Sequence, residues 1–346
     1  MPYRFFEELA FVCTSRRLEL VDMEIGADRK HVELLLQVAR LYYVDNLTQQ
    51  EIAREIGYSR STVSRLLEFA RESGVVRISI AHPLERQIYL EKAVSKHLPV
   101  EFIRVTNSGT ENPINSVGKT AAEVLVEMSK NAKVLAVGNG RTVAATASAM
   151  PQVHRSDCTV VQMLGSIPGG GRLEFGRDSP TICNQIAHRF GAFSARMSVP
   201  LFVASPELQK GLLREERVAT TLTLASRADL AIVGVANVDL VPGKANSLTP
   251  FLNSEFLEIV RQKGAVGHIL DQLYDKDGNE IKTPFSERTI ALSLASLRGI
   301  PIRIGVACGQ EKTHAIISAI NGRLINALIT DENTARSILD ALKRGF

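Results

Sequence analysis

The chain has 346 residues, enough for two or three domains, and 45% of them are hydrophobic, which supports a sizeable core. Its formal net charge is only +4, which excludes a diffuse nucleic-acid coat, so any DNA binding must rest on the local placement of arginine. Four dispersed cysteines (Cys13, Cys158, Cys183, Cys308) without a C-x-x-C pair, and seven histidines without metal-ligand spacing, argue against zinc, any other metal or a disulfide framework, and suit a reducing cytoplasm.

Residues 1–29 read as an N-terminal extension. The start lacks the small-residue cleavage site of a secretory signal. No apolar run in the chain is long enough to cross a bilayer, so no membrane partner is expected. Met23 opens a segment that would serve equally well as a start.

Residues 30–82 carry the pattern of a winged helix-turn-helix. Val32, Leu35, Leu36, Ala39 and Tyr43 predict the apolar face of a bracing helix. Thr48 and Glu51 form the T-x-x-E of a capping box, and Ile52, Ala53 and Ile56 recur on one face of the helix it opens. Gly57 supplies the stop, because glycine tolerates the left-handed geometry of a helix end. Ser59 caps a second helix, in which Val63, Leu66, Leu67 and Ala70 make a buried stripe. Arg60, Ser61, Thr62, Ser64 and Arg65 are left facing outward. Such a helix lays its N-terminal residues against base edges in the major groove, where arginine pairs bidentately with guanine and hydroxyls serve base or phosphate. With Thr48, Gln49 and Ser59 these residues form the candidate DNA-binding set. After Gly74, Val76, Ile78 and Ile80 alternate with Arg77 and Ser79, which predicts a short wing strand.

Residues 83–99, "PLERQIYLEKAVSKHLP", read as a linker helix. From about Val100 strands and helices alternate: "EFIRVT", "INSVGKTAAEVLVEMSK", "KVLAVG", "NGRTVAATASAM", and onward to "INALIT" and "ENTARSILDALKR". This predicts a doubly wound α/β domain over 100–346, its mostly parallel sheet covered on both faces. In such sheets ligands bind at the carboxyl ends of the strands. Three of those ends are rich in glycine. "GNGRT" (Gly138, Asn139, Gly140, Arg141, Thr142) joins a strand to a helix, so its N–H groups can face an anion. "IPGGGRLE" holds Gly169, Gly170 and Gly171, and "CGQEK" sets Lys312 at a helix start. Together they predict a phosphorylated small-molecule site. No G-x-x-x-x-G-K-[ST] occurs, which excludes a nucleotide-hydrolysing P-loop.

The combined pattern resembles the SorC family of bacterial transcription regulators and, more loosely, the DeoR-type sugar-phosphate sensors. The likeness runs from about Lys30 to Phe346 and is carried by "LYYVDNLTQQEIAREIGYSRSTVSRLLEFARESGVV", "VGNGRT", "SRADLAIVGVA", "GAVGHILDQLYDKDG", "IGVACGQEKTHAIISAI" and "INALITDENTA". It implies a helix-turn-helix followed by an effector domain akin to sugar-phosphate isomerases and deaminases. It also implies a homo-oligomer, usually a tetramer, that binds operator DNA and responds to a phosphorylated carbohydrate. The family's phosphate turn falls on Gly138–Thr142, its glycine loop on Gly169–Gly171 and its helix-start lysine on Lys312.

One position departs from the family. After "GAVG" the family commonly has an acidic residue that holds sugar hydroxyls. Here stands His268, with Asp271 and Asp275 the nearest carboxylates. An imidazole lacks the bidentate acceptor geometry of a carboxylate. His268 with Asp271 is either part of the effector site or a structural hydrogen-bonding pair. The deaminase signature G-x-D-G-H-I is broken, because Val266 stands where it has Asp. The expected function is a regulator without catalytic residues. The alternative is a sugar-phosphate isomerase or deaminase with an accessory DNA module, for which His268 and Asp271 are the only acid–base pair on offer. A recombinase or sigma-like factor fits less well, because the long α/β domain carries no nucleophile or metal constellation.

Overall fold

The computed structural model describes residues 29–76, 82, 84–107, 109–167, 178–238 and 254–345. The predicted wing over residues 77–81, the glycine loop at 169–171 and nearly all of the 1–29 extension lie outside them. The chain divides into two compact units, Met1–His82 and Pro83–Phe346.

In the first unit, α1 (Arg29–Tyr43), α2 (Gln49–Ile56) and α3 (Arg60–Glu72) enclose one small core. Leu35, Val38, Ala39, Ile52, Ala53, Val63, Leu66, Leu67 and Ala70 are buried there. Burying side chains such as Ile52 and Val63 contributes roughly 1.5–3 kcal/mol apiece. The stripe predicted for α3 is the observed one. The bracing helix differs at one position: Leu36 is exposed and Val38 takes its place. The helical period explains this, because positions three and four after Leu35 are Val38 and Ala39, while Leu36 is turned about 100° away.

The capping box on α2 is complete. Thr48 N–H donates to Glu51 Oε2 at 2.8 Å, and Glu51 N–H donates to Thr48 Oγ1 at 3.3 Å. Gly57 closes α2 at φ 72°, a conformation that would strain a residue with a Cβ. Thr48→Ala removes the cap and is expected to weaken α2 by about 1 kcal/mol. Amides of Gln49–Ile56 then exchange with deuterium roughly fivefold faster than in the wild type.

The second unit begins with α4 (Glu85–Ser95), the segment read as a linker. Its Leu90 and Val94, with Leu98, join the same buried cluster as Ile103, Leu328 and Ile338. An ion pair from Arg86 to Glu332 ties it to the last helix, α13 (Glu332–Lys343). Its apolar residues therefore close one face of the α/β unit.

Seven strands form the main sheet: β1 (Phe102–Thr106), β2 (Val134–Val137), β3 (Thr159–Gln162), β4 (Phe193–Ala195), β5 (Leu230–Gly234), β9 (Ile302–Val306) and β10 (Ala327–Asp331). All their pairings are parallel, in the order β1-β10-β9-β5-β2-β3-β4. Successive residues point to opposite faces, and both faces are covered. Leu135 and Val137 enter one apolar cluster and Ala136 the other. The covering helices include α5 (Pro113–Met128), α6 (Arg141–Ala149), α7 (Ser179–Phe190), α9 (Glu216–Ser226), α11 (Leu294–Arg298) and α12 (Thr313–Asn321). Two further helices lie outside these layers: α8 (Pro206–Arg214) packs on α9, and α10 (Ser254–Gln262) packs on Leu273, Ile281 and Phe285.

A second sheet was not anticipated. The short strands β6 (Ala236–Asn237), β7 (Gly267–Ile269) and β8 (Gln272–Tyr274) pair antiparallel in the order β6-β7-β8. Strands of two or three residues are too short to show the alternation that marks a strand in a sequence.

The strand order fixes where a ligand can sit. From β2 the chain winds outward through β3 to β4, and from β5 it winds the other way through β9 to β10. The reversal falls between β2 and β5, which are direct neighbours. Loops leaving two such strands diverge to opposite faces and open a crevice at their carboxyl ends.

Candidate functional site

In the first unit, the start of α3 is an exposed polar surface. Ser59 Oγ accepts from Thr62 N–H at 3.1 Å and lies 2.8 Å from both Ser61 Oγ and Thr62 Oγ1. These three hydroxyls are knitted into the cap. Thr48 is occupied in the same way, since its hydroxyl donates to Glu51 Oε2 at 2.7 Å. Hydrogen bonding by Thr48 holds the Glu51 carboxyl below its ordinary range. Among the described residues, Arg60, Ser64 and Arg65 are exposed and make no hydrogen bond or ion pair within the unit. Gln49 is half-buried at the start of α2. The predicted set thus divides into residues that shape the helix ends (Thr48, Ser59, Ser61, Thr62) and residues whose heads remain available (Arg60, Ser64, Arg65). Tyr58, 47% exposed in the turn between the two helices, was passed over in the sequence because a lone aromatic in a turn has no periodic pattern.

In the second unit, the Gly138–Thr142 turn leaves β2 at the reversal of strand order and opens α6. Gly140 holds φ 107° and an added Cβ would meet nothing within 4 Å, so the turn is open at this residue, while Gly138 and Asn139 are buried. Thr142 differs from expectation. Its buried hydroxyl donates to the Val306 carbonyl at the end of β9, at 2.7 Å. That bond pins the start of α6 to the neighbouring strand and leaves Thr142 its backbone N–H to offer an anion.

Lys312 ends a single 3₁₀ turn, Gln310–Lys312, that runs directly into α12. Two neighbours show how the predicted segments converge. Burial pushes the Cys308 thiol up, and Lys312 and Arg141 both oppose that shift, so the two cations act on one point. Lys312 also acts on His268. In the sequence Cys308 stands only as one of four dispersed cysteines and as the start of "CGQEK", because a lone cysteine at a strand end carries no spacing signal.

His268 and Asp271 are brought together by the hairpin β7–β8. Its two turn residues, Leu270 and Asp271, have φ 51° and 57°. Two-residue hairpins of this kind prefer Asn-Gly, because positive φ costs other residues roughly 1–2 kcal/mol each. Strain of this sort persists where surrounding contacts over-determine it. Here Leu270 packs so closely on Gly138 that a Cβ there would lie 3.3 Å from Leu270 Cδ2. Asp271, 1% exposed, accepts a hydrogen bond from Asn139 Nδ2 at 2.8 Å. The hairpin and the Gly138–Thr142 turn are therefore bound through one buried carboxylate. His268 Nδ1 lies 3.5 Å from the other oxygen of that carboxylate. Its Nε2 is buried with no hydrogen-bond partner among the described residues. Burial pushes the His268 pKa down; Asp271 pulls it up and Lys312 adds to the depression. Asp275 is not part of this group, since its carboxylate accepts from Asp277 N–H and Asn279 N–H within its own turn.

The structure thus gathers Gly138, Asn139, Gly140, Asp271 and His268 in one place, with Lys312 close enough to act on His268 and, like Arg141, on Cys308. The glycine loop Gly169–Gly171 lies outside the described residues. Its flank is held by Asp178, which accepts from Ser166 Oγ at 2.7 Å and Ile167 N–H at 2.9 Å. Among the described residues, no group of three or more His, Cys, Asp or Glu is placed to hold a metal ion. Among them, too, no helix is long and apolar enough to cross a membrane.

Comparison with known proteins agrees with both units. The Sugar-bind family of sugar-binding domains matches residues 82–340, and sigma-70 region 4 matches residues 36–73. The LsrR transcriptional regulator of Enterobacter sp. strain 638 is 32% identical over 311 residues, covering 89% of this chain and 93% of that one. The full-length sorbitol operon regulator SorC of Klebsiella pneumoniae superposes with a TM-score of 0.70 at 29% identity, covering 89% of this chain and 99% of that one. A DeoR family transcriptional regulator from Listeria monocytogenes superposes with a TM-score of 0.65 at 25% identity, over 73% of this chain and 99% of that one. With the sugar-binding domain matched across most of the chain and a regulator alike from the first helix to the last, this chain belongs to the SorC family of sugar-binding transcriptional regulators.

Proposed function

We propose that this chain is a regulator without catalytic activity whose hold on operator DNA is set by a phosphorylated sugar or polyol. The observation that carries the reading is the convergence at the β2/β5 reversal. An open glycine turn at a helix start, a lysine at a second helix start and a buried polar pair meet there. Gly138 N–H donates to the Ile232 carbonyl at 2.9 Å, so the N–H groups of Asn139–Thr142, with partial positive charge at the α6 N-terminus, are the ones that suit a phosphate. Lys312 adds a full charge, and Arg141 a second. His268 and Asp271 are left for the carbohydrate. The effector acts by linkage: it binds one arrangement of the protein more tightly than another and so shifts operator occupancy.

The test is a thermal-shift screen of the full-length protein against sugar phosphates, polyol phosphates and their unphosphorylated parents. A ligand of the native state raises its melting temperature. At least one phosphorylated compound is expected to do so while its parent at equal concentration does not. A panel in which none stabilises, or in which free sugars do equally well, overturns the reading.

One helix-turn-helix offers few base contacts, so specific binding calls for two or more copies on half-sites about 10 bp, or a multiple of that, apart. We therefore propose a homo-oligomer, a tetramer in the family's manner. Sedimentation is expected to give more than one copy at micromolar concentration. A monomer that still binds a single half-site tightly contradicts this.

A further inference from the structure

Among the described residues of the candidate site, His268 is the one with a buried side-chain polar atom that has no hydrogen-bond partner. Buried polar groups are nearly always hydrogen-bonded, and an exception asks for a reason. The imidazole's two ends differ. Nδ1 faces Asp271 at 3.5 Å, while Nε2, on the far side of the ring, is enclosed without a partner. Asp271 is fixed in turn by Asn139, which belongs to the glycine turn. The charged groups around the ring are few. The hairpin turn supplies Asp271. The 3₁₀ turn ahead of α12 supplies Lys312, while the Glu311 carboxylate lies over Gly309. From α12 itself comes His314, exposed. From β8 come Gln272, which donates to the Leu292 carbonyl, and Tyr274, whose hydroxyl donates to the Ala315 carbonyl and is kept protonated by burial. Strand β6 brings Ala236 and Asn237, both uncharged.

We propose that when a doubly charged anion occupies the Gly138–Thr142 and Lys312 end of the site, His268 takes up a proton from solvent, its Nδ1–H donating to Asp271 and its Nε2–H to the bound effector. This rests on reading that end as a phosphate site. The cause is electrostatic. Without the anion, burial disfavours the charged ring, Lys312 adds to the effect and Asp271 opposes it. A bound dianion neutralises the influence of Lys312 and leaves the attraction of Asp271 unopposed, so the imidazolium becomes the favoured form. The proton also gives Nε2 a donor where the effector offers acceptor oxygens. The sign follows. His268 has the higher pKa in the occupied protein, so the empty protein must take up a proton to bind. Affinity is therefore greatest at low pH and falls as pH rises through the window between the empty and occupied pKa values.

Sulfate is the probe, because it is a dianion throughout the range and has no titration of its own there. Full-length protein carrying 13C-labelled histidine is titrated from about pH 5.5 to 8, near the ordinary histidine pKa of about 6.5, in chloride and in sulfate at equal ionic strength. The His268 resonance is assigned by its absence in His268→Gln, or in His268→Asn if the first variant does not fold. Its midpoint is expected to rise by about 1 unit in sulfate, as a nearby charge commonly shifts a group by 1–3 units. Wild-type sulfate affinity is expected to gain roughly tenfold across the window, following that shift, while the variant's stays flat. A His268 midpoint unmoved by sulfate, while Lys312→Ala still weakens sulfate binding, overturns the proton uptake and leaves the phosphate site standing. Sulfate binding that is indifferent to Lys312→Ala overturns the phosphate site and the proton uptake with it.

Discussion

Lys312→Ala is expected to raise the effector concentration needed for half-saturation roughly tenfold to a hundredfold, because charged hydrogen bonds of this kind contribute about 1.5–3 kcal/mol each. The lysine sits where α12 begins, on the loop leaving β9, and its charge reaches both Cys308 and His268. Its loss removes the full positive charge but leaves the N–H groups of the β2 turn and the α6 N-terminus, so binding is weakened and not abolished. Effector-free operator binding should be nearly unchanged, since the first unit folds around its own core. Calorimetry on the wild type and the variant measures the first quantity, and operator titration without effector the second. Wild-type-like effector binding would remove Lys312 from the site.

The second large effect is expected on DNA. Arg60→Ala and Arg65→Ala each remove an exposed guanidinium in the N-terminal half of α3 that no acid among the described residues occupies. A lost bidentate base contact costs roughly 1–3 kcal/mol and relaxes the sequence preference at one base pair. A lost phosphate contact weakens all sequences alike and lowers the salt slope by about one. Binding isotherms at several salt concentrations, on an operator selected from random DNA and on single-base variants of it, distinguish the two roles. Unchanged affinity and unchanged salt slope in both variants would move the DNA contact elsewhere. Thr48, Ser59 and Thr62 belong to a different class. Their hydroxyls cap helices, so their replacement acts through the helix ends before it acts on DNA.

What could be read in the sequence follows from the range of the forces involved. The α2 cap, the Gly57 stop and the α3 stripe are set by residues three and four apart, and each stands where the pattern put it. The parallel strands were legible because both of their faces are buried, which makes them short continuous apolar runs. Leu36 shows the limit of such reading: it is apolar and adjacent to the buried face, yet its angle turns it outward. The hairpin β7–β8 lay beyond it. Asp271 tolerates positive φ but Leu270 is not a residue it ordinarily selects, and the packing of Leu270 on Gly138 and the bond from Asn139 to Asp271 explain the turn. The Asn139–Asp271 contact joins residues 132 apart in sequence, a separation at which no local pattern speaks. For the same reason the Thr142 hydroxyl could be placed at the turn but not assigned its partner, the Val306 carbonyl.

We propose that a phosphorylated carbohydrate bound in the α/β unit governs the grip of α3 on DNA. Fluorescence anisotropy of the full-length protein on its selected operator, titrated with the stabilising sugar phosphate and with its unphosphorylated parent, measures that control. The phosphate ester is expected to change operator affinity by at least about fivefold, the lower end of typical coupling between sites. The parent is expected to do nothing at the same concentration, and Lys312→Ala to shift the response to higher ester concentration. Operator affinity that stays constant while the ester saturates the protein rules the proposal out.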